Sequence, residues 1–113
     1  MRRSTARLRL ATIAAVSAGA LLFAVPTSAQ AAVGEFIYHI PGTGQHALTN
    51  PRSEECLNLP GTSDTVVADS PRNLTLSMAT VFADSDCGGD IFFTMFPGQV
   101  IDQRLKFRSV VFS

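Results

Sequence analysis

The stretch that decides the fold is Thr80-Val81-Phe82-Ala83-Asp84-Ser85-Asp86-Cys87-Gly88-Gly89, followed by Phe96-Pro97-Gly98 and closed by Phe107-Arg108-Ser109-Val110-Val111-Phe112. An aromatic, a short polar hairpin ending in glycine, a Pro-Gly turn and a Ser-Val strand read together as one antiparallel Greek-key motif. Gly88 or Gly89 supplies the positive φ that a tight, folded-back hairpin requires, and Phe82 can stack over it.

Outward from there, short apolar runs alternate with turn residues, and no sustained helical periodicity appears. That is the pattern of an all-β sandwich or small barrel. Gly34–Ile40 reads as a strand with Phe36, Tyr38 and Ile40 on one face, ended by Pro41-Gly42-Thr43-Gly44. Cys56-Leu57-Asn58-Leu59 is a short strand stopped by Pro60-Gly61. Thr62 to Ser70 is the longest polar connection, interrupted only by Val66-Val67. Asn73 to Phe82 is strand-rich with a bend near Met78-Ala79, and Ile91 to Met95 is a further strand. Leu105 to Phe112 completes the set, with Leu105 and Phe107 inward and Lys106 and Arg108 toward water. A faint repeat aligns Tyr38, Gly44, Pro60-Gly61 and Ser70 with Phe82, Gly89, Pro97-Gly98 and Ser109. Two such copies can each cover the open face of the other.

The first 31 residues stand apart. Arg2, Arg3, Arg7 and Arg9 precede an uncharged run from Leu10 to Val25, and Pro26 then leads to Ala29-Gln30-Ala31. A basic head, an apolar middle and a small-x-small end make a secretory signal peptide, cut after Ala31. The apolar run falls short of the about 20 residues that span a bilayer. The domain is therefore expected at 32–113, in a secreted, extracellular protein.

With the leader gone, Arg52, Arg72, Arg104, Lys106 and Arg108 face all nine acids of the chain. A mildly acidic domain disfavours nucleic acid and anionic membranes as partners. Cys56 and Cys87 are the only cysteines, and in an exported chain they form one disulfide. The competing readings, a reactive thiol or a metal pair, lack neighbouring His or further Cys.

The segment from Cys56-Leu57-Asn58-Leu59-Pro60 through Val81–Gly89 to Phe107–Val110 resembles the βγ-crystallin domains, and more narrowly the small secreted bacterial proteins of that fold that include metalloproteinase inhibitors. The resemblance covers 56–113 well and 34–55 poorly. It implies two Greek-key motifs packed as a βγ-crystallin-like sandwich. Family members often bind calcium through Asn/Asp pairs ahead of a Ser near the motif's end. Here Arg104 and Leu105 stand before Ser109, and only Asp69 remains before Ser70, so the usual sites look lost. Asp84, Asp86 and Asp90 are the weak metal candidates that remain. Otherwise no metal or other cofactor is expected.

His39 and His46 lack further ligands at zinc spacing, and neither a nucleophile elbow nor another catalytic constellation occurs, so an enzyme is not expected. The function the resemblance implies is a monomeric inhibitor of an extracellular peptidase, with Thr65, Val66, Val67 and Ala68 as the contact loop. The alternative is a non-inhibitory extracellular structural or interaction module with degenerate calcium binding. Asn73-Leu74-Thr75 is a glycosylation sequon read as strand residues. An exposed Phe92, close to Phe93 and Phe96, would anchor a partner.

Overall fold

The computed structural model describes residues 30–113, and the expected leader lies almost entirely outside the described residues. The compact unit Ala31–Ser113 is all-β. Its strands are β1 (Gly34–Ile40), β2 (Gly44–Thr49), β3 (Leu57–Asn58), β4 (Ala68–Thr75), β5 (Ala79–Phe82), β6 (Phe92–Met95), β7 (Lys106–Phe107) and β8 (Ser109–Phe112). They form two four-stranded antiparallel sheets, ordered β2-β1-β4-β7 and β3-β8-β5-β6. Each sheet takes three strands from one half of the chain and one short strand from the other.

The period-2 pattern of β1 does what the sequence suggests: Phe36, Tyr38 and Ile40 are buried, and the residues between them are not. They meet Phe107 from their own sheet and Val81, Met95, Val110 and Phe112 from the other in one core. Phe36 sits at its centre, edge-on to Phe107 at 6.1 Å and to Phe112 at 5.5 Å, a geometry that the aromatic quadrupole favours.

Four sequence expectations change. Gly44–Thr49, assigned to no element beyond the turn at Gly44, is strand β2, held by its register on β1. Leu105–Phe112 is two strands rather than one, because the chain crosses between sheets at Arg108. The 62–70 connection is shorter than expected, since β4 begins at Ala68 and pairs there with Phe107. Finally, the two Pro-Gly turns are not equivalent: Pro60-Gly61 follows β3, whereas Pro97-Gly98 follows β6, the second strand of its half.

Asn73 joins the sheets. Fully buried on β4, its Nδ2 donates to the carbonyls of Ser77 at 2.8 Å and Phe96 at 3.1 Å, while its Oδ1 accepts from the Thr75 hydroxyl at 2.7 Å. The sequon asparagine is therefore a structural tie, inaccessible to a glycosyl donor in the folded chain. Ser70, with φ of +53°, and buried Pro71 form a bulge in β4 between the pairs Ile37–Arg72 and His39–Asp69. A bulge is where a strand tolerates proline, which has no N–H for the ladder.

Candidate functional site

At one end of the molecule, two loops are tied into a single unit. The first runs over 59–67, between β3 and β4; the second runs over 83–91, between β5 and β6. Cys56 and Cys87 are joined by a disulfide that closes 31 residues and fastens the start of β3 to the second loop. Beside it, Asn58 Nδ2 donates to Asp86 Oδ1 at 2.9 Å, and the Asp86 N–H donates to Asn58 Oδ1 at 2.7 Å. Buried Ser109 donates to the Asp84 carbonyl at 2.6 Å and accepts the Cys87 N–H at 2.9 Å. Within this loop Asp86 and Cys87 both take positive φ, and Gly89, at +77°, is the hairpin glycine rather than Gly88.

The first loop is ordered by its own polar groups and by one arginine. Thr62 Oγ1 donates to the Leu59 carbonyl at 2.7 Å, and buried Tyr38 donates its hydroxyl to the Pro60 carbonyl at 3.0 Å. Burial raises the Tyr38 pKa above its usual value, so the phenol stays a donor. The Ser63 N–H donates to the Val66 carbonyl at 2.8 Å, and Ser63 Oγ accepts the Val66 N–H at 3.2 Å. Arg108 then spans both loops. Its Nε donates to the Ser63 carbonyl at 2.7 Å, Nη2 to the Asp64 carbonyl at 2.8 Å, and Nη1 to the Ala83 carbonyl at 3.2 Å. Asp84 Oδ1 lies 3.7 Å from Nη1. A planar fork of donors suits such a convergence of carbonyls, which a lysine could not satisfy in the same way.

Of the expected contact residues, Thr65 is exposed at the loop tip together with Ser63 and Asp64. Val66 packs on the core, and Val66 and Val67 line a shallow depression of about 270 Å³ with Pro41 and Thr65. Ala68 is fully buried in β4, so no docking partner reaches it. The surface offered is Ser63–Thr65, one turn earlier than the sequence suggested. Arg108 was missed. On a continuous strand it would face water, and only the crossover between sheets turns it onto the loops.

The acidic candidates go separate ways. Asp84 faces Arg108, Asp86 is engaged by Asn58, and Asp90 is exposed beyond Gly89. Among the described residues, no three His, Cys, Asp or Glu side chains are grouped to hold a metal ion. Ahead of Ser109, Arg104 is wrapped on Asp102, with Nη2 to Oδ2 at 2.8 Å. Those hydrogen bonds hold the Asp102 carboxyl below its usual pKa.

A second polar cluster lies on the other sheet. Asp69 is buried, and its carboxylate receives Ser70 Oγ at 2.8 Å and pairs with His39 Nδ1 at 3.0 Å and Lys106 Nζ at 3.6 Å. Burial alone would raise the Asp69 pKa; the Ser70 and His39 hydrogen bonds and the attraction of His39 and Lys106 outweigh it, and the net direction is downward. The neighbouring Ser70 hydroxyl donates to Asp69 rather than to the imidazole.

Compared with protein-family models, with curated proteins and with solved structures, the chain gives no match.

Proposed function

We propose that this chain is an exported βγ-crystallin-like binding protein, and that it blocks an extracellular peptidase by presenting the loop around Ser63–Thr65. The strand order supports the family reading. β4-β1-β2 and β8-β5-β6 are the fourth, first and second strands of two Greek-key motifs whose third strands, β3 and β7, are exchanged between sheets. The disulfide fits an oxidising, extracellular setting.

The observation that carries the inhibitor reading is the Arg108 fork on the Ser63 and Asp64 carbonyls. A loop already fixed in shape loses little conformational entropy when it docks, and that saving appears as affinity. Should a peptidase cut it, the same hydrogen bonds and the adjacent disulfide keep the new ends in place.

The test is to purify the protein from cells expressing the full chain and titrate it against a panel of bacterial metallo- and serine peptidases. Stoichiometric inhibition at micromolar protein is expected. Arg108→Ala should weaken it by at least about tenfold, because the loop must then be ordered on docking. Absence of inhibition across the panel overturns the proposal. Inhibition that survives combined Asp64→Ala and Thr65→Ala unchanged removes the loop from it.

A further inference from the structure

The free edge of β6, four residues long, lacks the charges, prolines and bulges by which proteins commonly protect sheet edges. Ile91-Phe92-Phe93-Thr94-Met95-Phe96 carries no charge, no proline and no bulge, with Asp90 and Pro97 standing just outside it. Ile91 is 72 % exposed, Phe92 59 %, Phe93 40 % and Phe96 63 %. Among the described residues the strand pairs only with β5, which leaves its other side without a partner strand.

Which groups the edge offers follows from the ladder. The Ala83 N–H donates to the Ile91 carbonyl at 3.0 Å, beside the register pair Phe82–Phe92. Antiparallel ladders alternate, so Phe93 and Met95 also turn their polar groups toward β5, while Phe92 and Thr94 turn theirs outward. The edge stops at Phe96, whose N–H donates to Gln99 Oε1 at 2.9 Å and whose carbonyl accepts the Gln99 N–H at 3.1 Å. Two adjacent outward positions, 92 and 94, are left open.

We propose that a second copy of this chain fills that edge, with the two β6 strands antiparallel about a twofold axis at Phe93. Phe92 of each copy then pairs with Thr94 of the other, and about four hydrogen bonds form. This register uses both open positions of both strands. A twofold perpendicular to the sheet also keeps core-side residues on the core side, so the sheets merge into one of eight strands without a slip.

The pairing sets no charge against a like charge: Asp90 comes opposite Phe96. The three phenylalanines, at 150–250 Å² of side-chain surface each and about half exposed, together with Ile91 and Val100 offer roughly 500 Å² per copy. The total is then roughly 1,000 Å², the lower bound for a specific interface. Because the contact is isologous, one partner consumes the edge and growth stops at two. The dimer does not depend on the inhibitor reading, since β6 and the Ser63–Thr65 tip are separate surfaces. It replaces the monomer expected from the sequence.

Sedimentation of protein purified from cells expressing the full chain should show a reversible monomer–dimer equilibrium. Thr94→Pro removes an outward N–H and leaves the β5 ladder bonds intact; it should raise the dissociation constant at least about tenfold while the far-ultraviolet circular dichroism is retained. Phe93→Cys tests the register without asking anything of proline. Facing positions across an antiparallel pair lie within disulfide reach, so it should cross-link into a covalent dimer under oxidised glutathione, whereas Ile91→Cys should not. A wild-type monomer at every accessible concentration, or a dimer untouched by Thr94→Pro, overturns the proposal. So does cross-linking through Ile91→Cys but not Phe93→Cys, or a monomer whose β6 amides become protected only when a foreign extended peptide is added.

Discussion

The β1–β2 and β5–β6 hairpins are built on the same plan and held by different physics. Each places an aromatic pair across the strands in register: Tyr38 stacks on His46 at 5.5 Å, and Phe82 meets Phe92 at 5.7 Å. The first hairpin closes through three residues, with the Thr43 N–H donating to the Ile40 carbonyl and the Thr43 hydroxyl paired with His46 Nε2 at 3.0 Å. Its restraints are local. The second closes through a long loop that is fixed from afar, by Cys56, Asn58, Arg108 and Ser109. Local closure leaves a self-sufficient turn. Closure from afar gathers several segments at one end of the molecule, and there the candidate site lies.

The largest break in that comparison should come from removing the disulfide. With 31 residues closed, Cys56→Ser with Cys87→Ser is expected to cost about 3–4 kcal/mol and to lower Tm by about 15–25 °C. Hydrogen exchange should then quicken in the 83–91 loop well before it does in β1 and β2. Equal loosening of both hairpins would show that the second is as self-sufficient as the first.

A smaller effect is expected at two serines, Ser109 on β8 and Ser70 in the β4 bulge. Ser109→Ala strips the second loop of two hydrogen bonds at a buried position, for about 1–3 kcal/mol in denaturant unfolding. Ser70→Ala touches only the Asp69 carboxylate, and its cost should be clearly smaller. Similar costs would make the halves energetically equivalent.

The smallest expected effect is one of pH, and it reverses the order of the halves. Asp69 is the only carboxylate that is buried among the described residues, and its pKa is lowered by folding from an ordinary 3.8. A depressed carboxylate contributes its full stability above the unfolded pKa and loses it as the pH falls through the folded one. Asp69→Asn should therefore lower stability near neutral pH and flatten the loss of stability below about pH 4. Acid loosening should begin in the sheet that holds β1 and β4. Urea midpoints followed across that range, with amide exchange, check both.

Much of the architecture was legible in the residues. The alternation in β1, the Pro-Gly breaks, and two cysteines in a chain read as exported were enough for an all-β body with one staple. β2 was not legible, because Gln45, His46 and Ala47 have neither the β-branching nor the burial that marks a strand; register on β1 supplies what propensity does not. The site was legible only in part. Val66 and Val67 drew the eye as apolar residues in a polar stretch, but Val66 packs on the core, Val67 lines the depression beside Pro41, and the exposed tip belongs to Ser63, Asp64 and Thr65.

What the sequence alone determined is which residues seek the interior and which segments extend, since side-chain alternation and turn chemistry are properties of neighbouring residues. Only the tertiary structure decided that the chain crosses between sheets at Arg108, that its guanidinium lands on the Ser63 and Asp64 carbonyls, and that β6 is left at an edge. Those outcomes depend on which distant strands pair, and pairing partners are chosen by the packing of the whole core rather than by any local pattern.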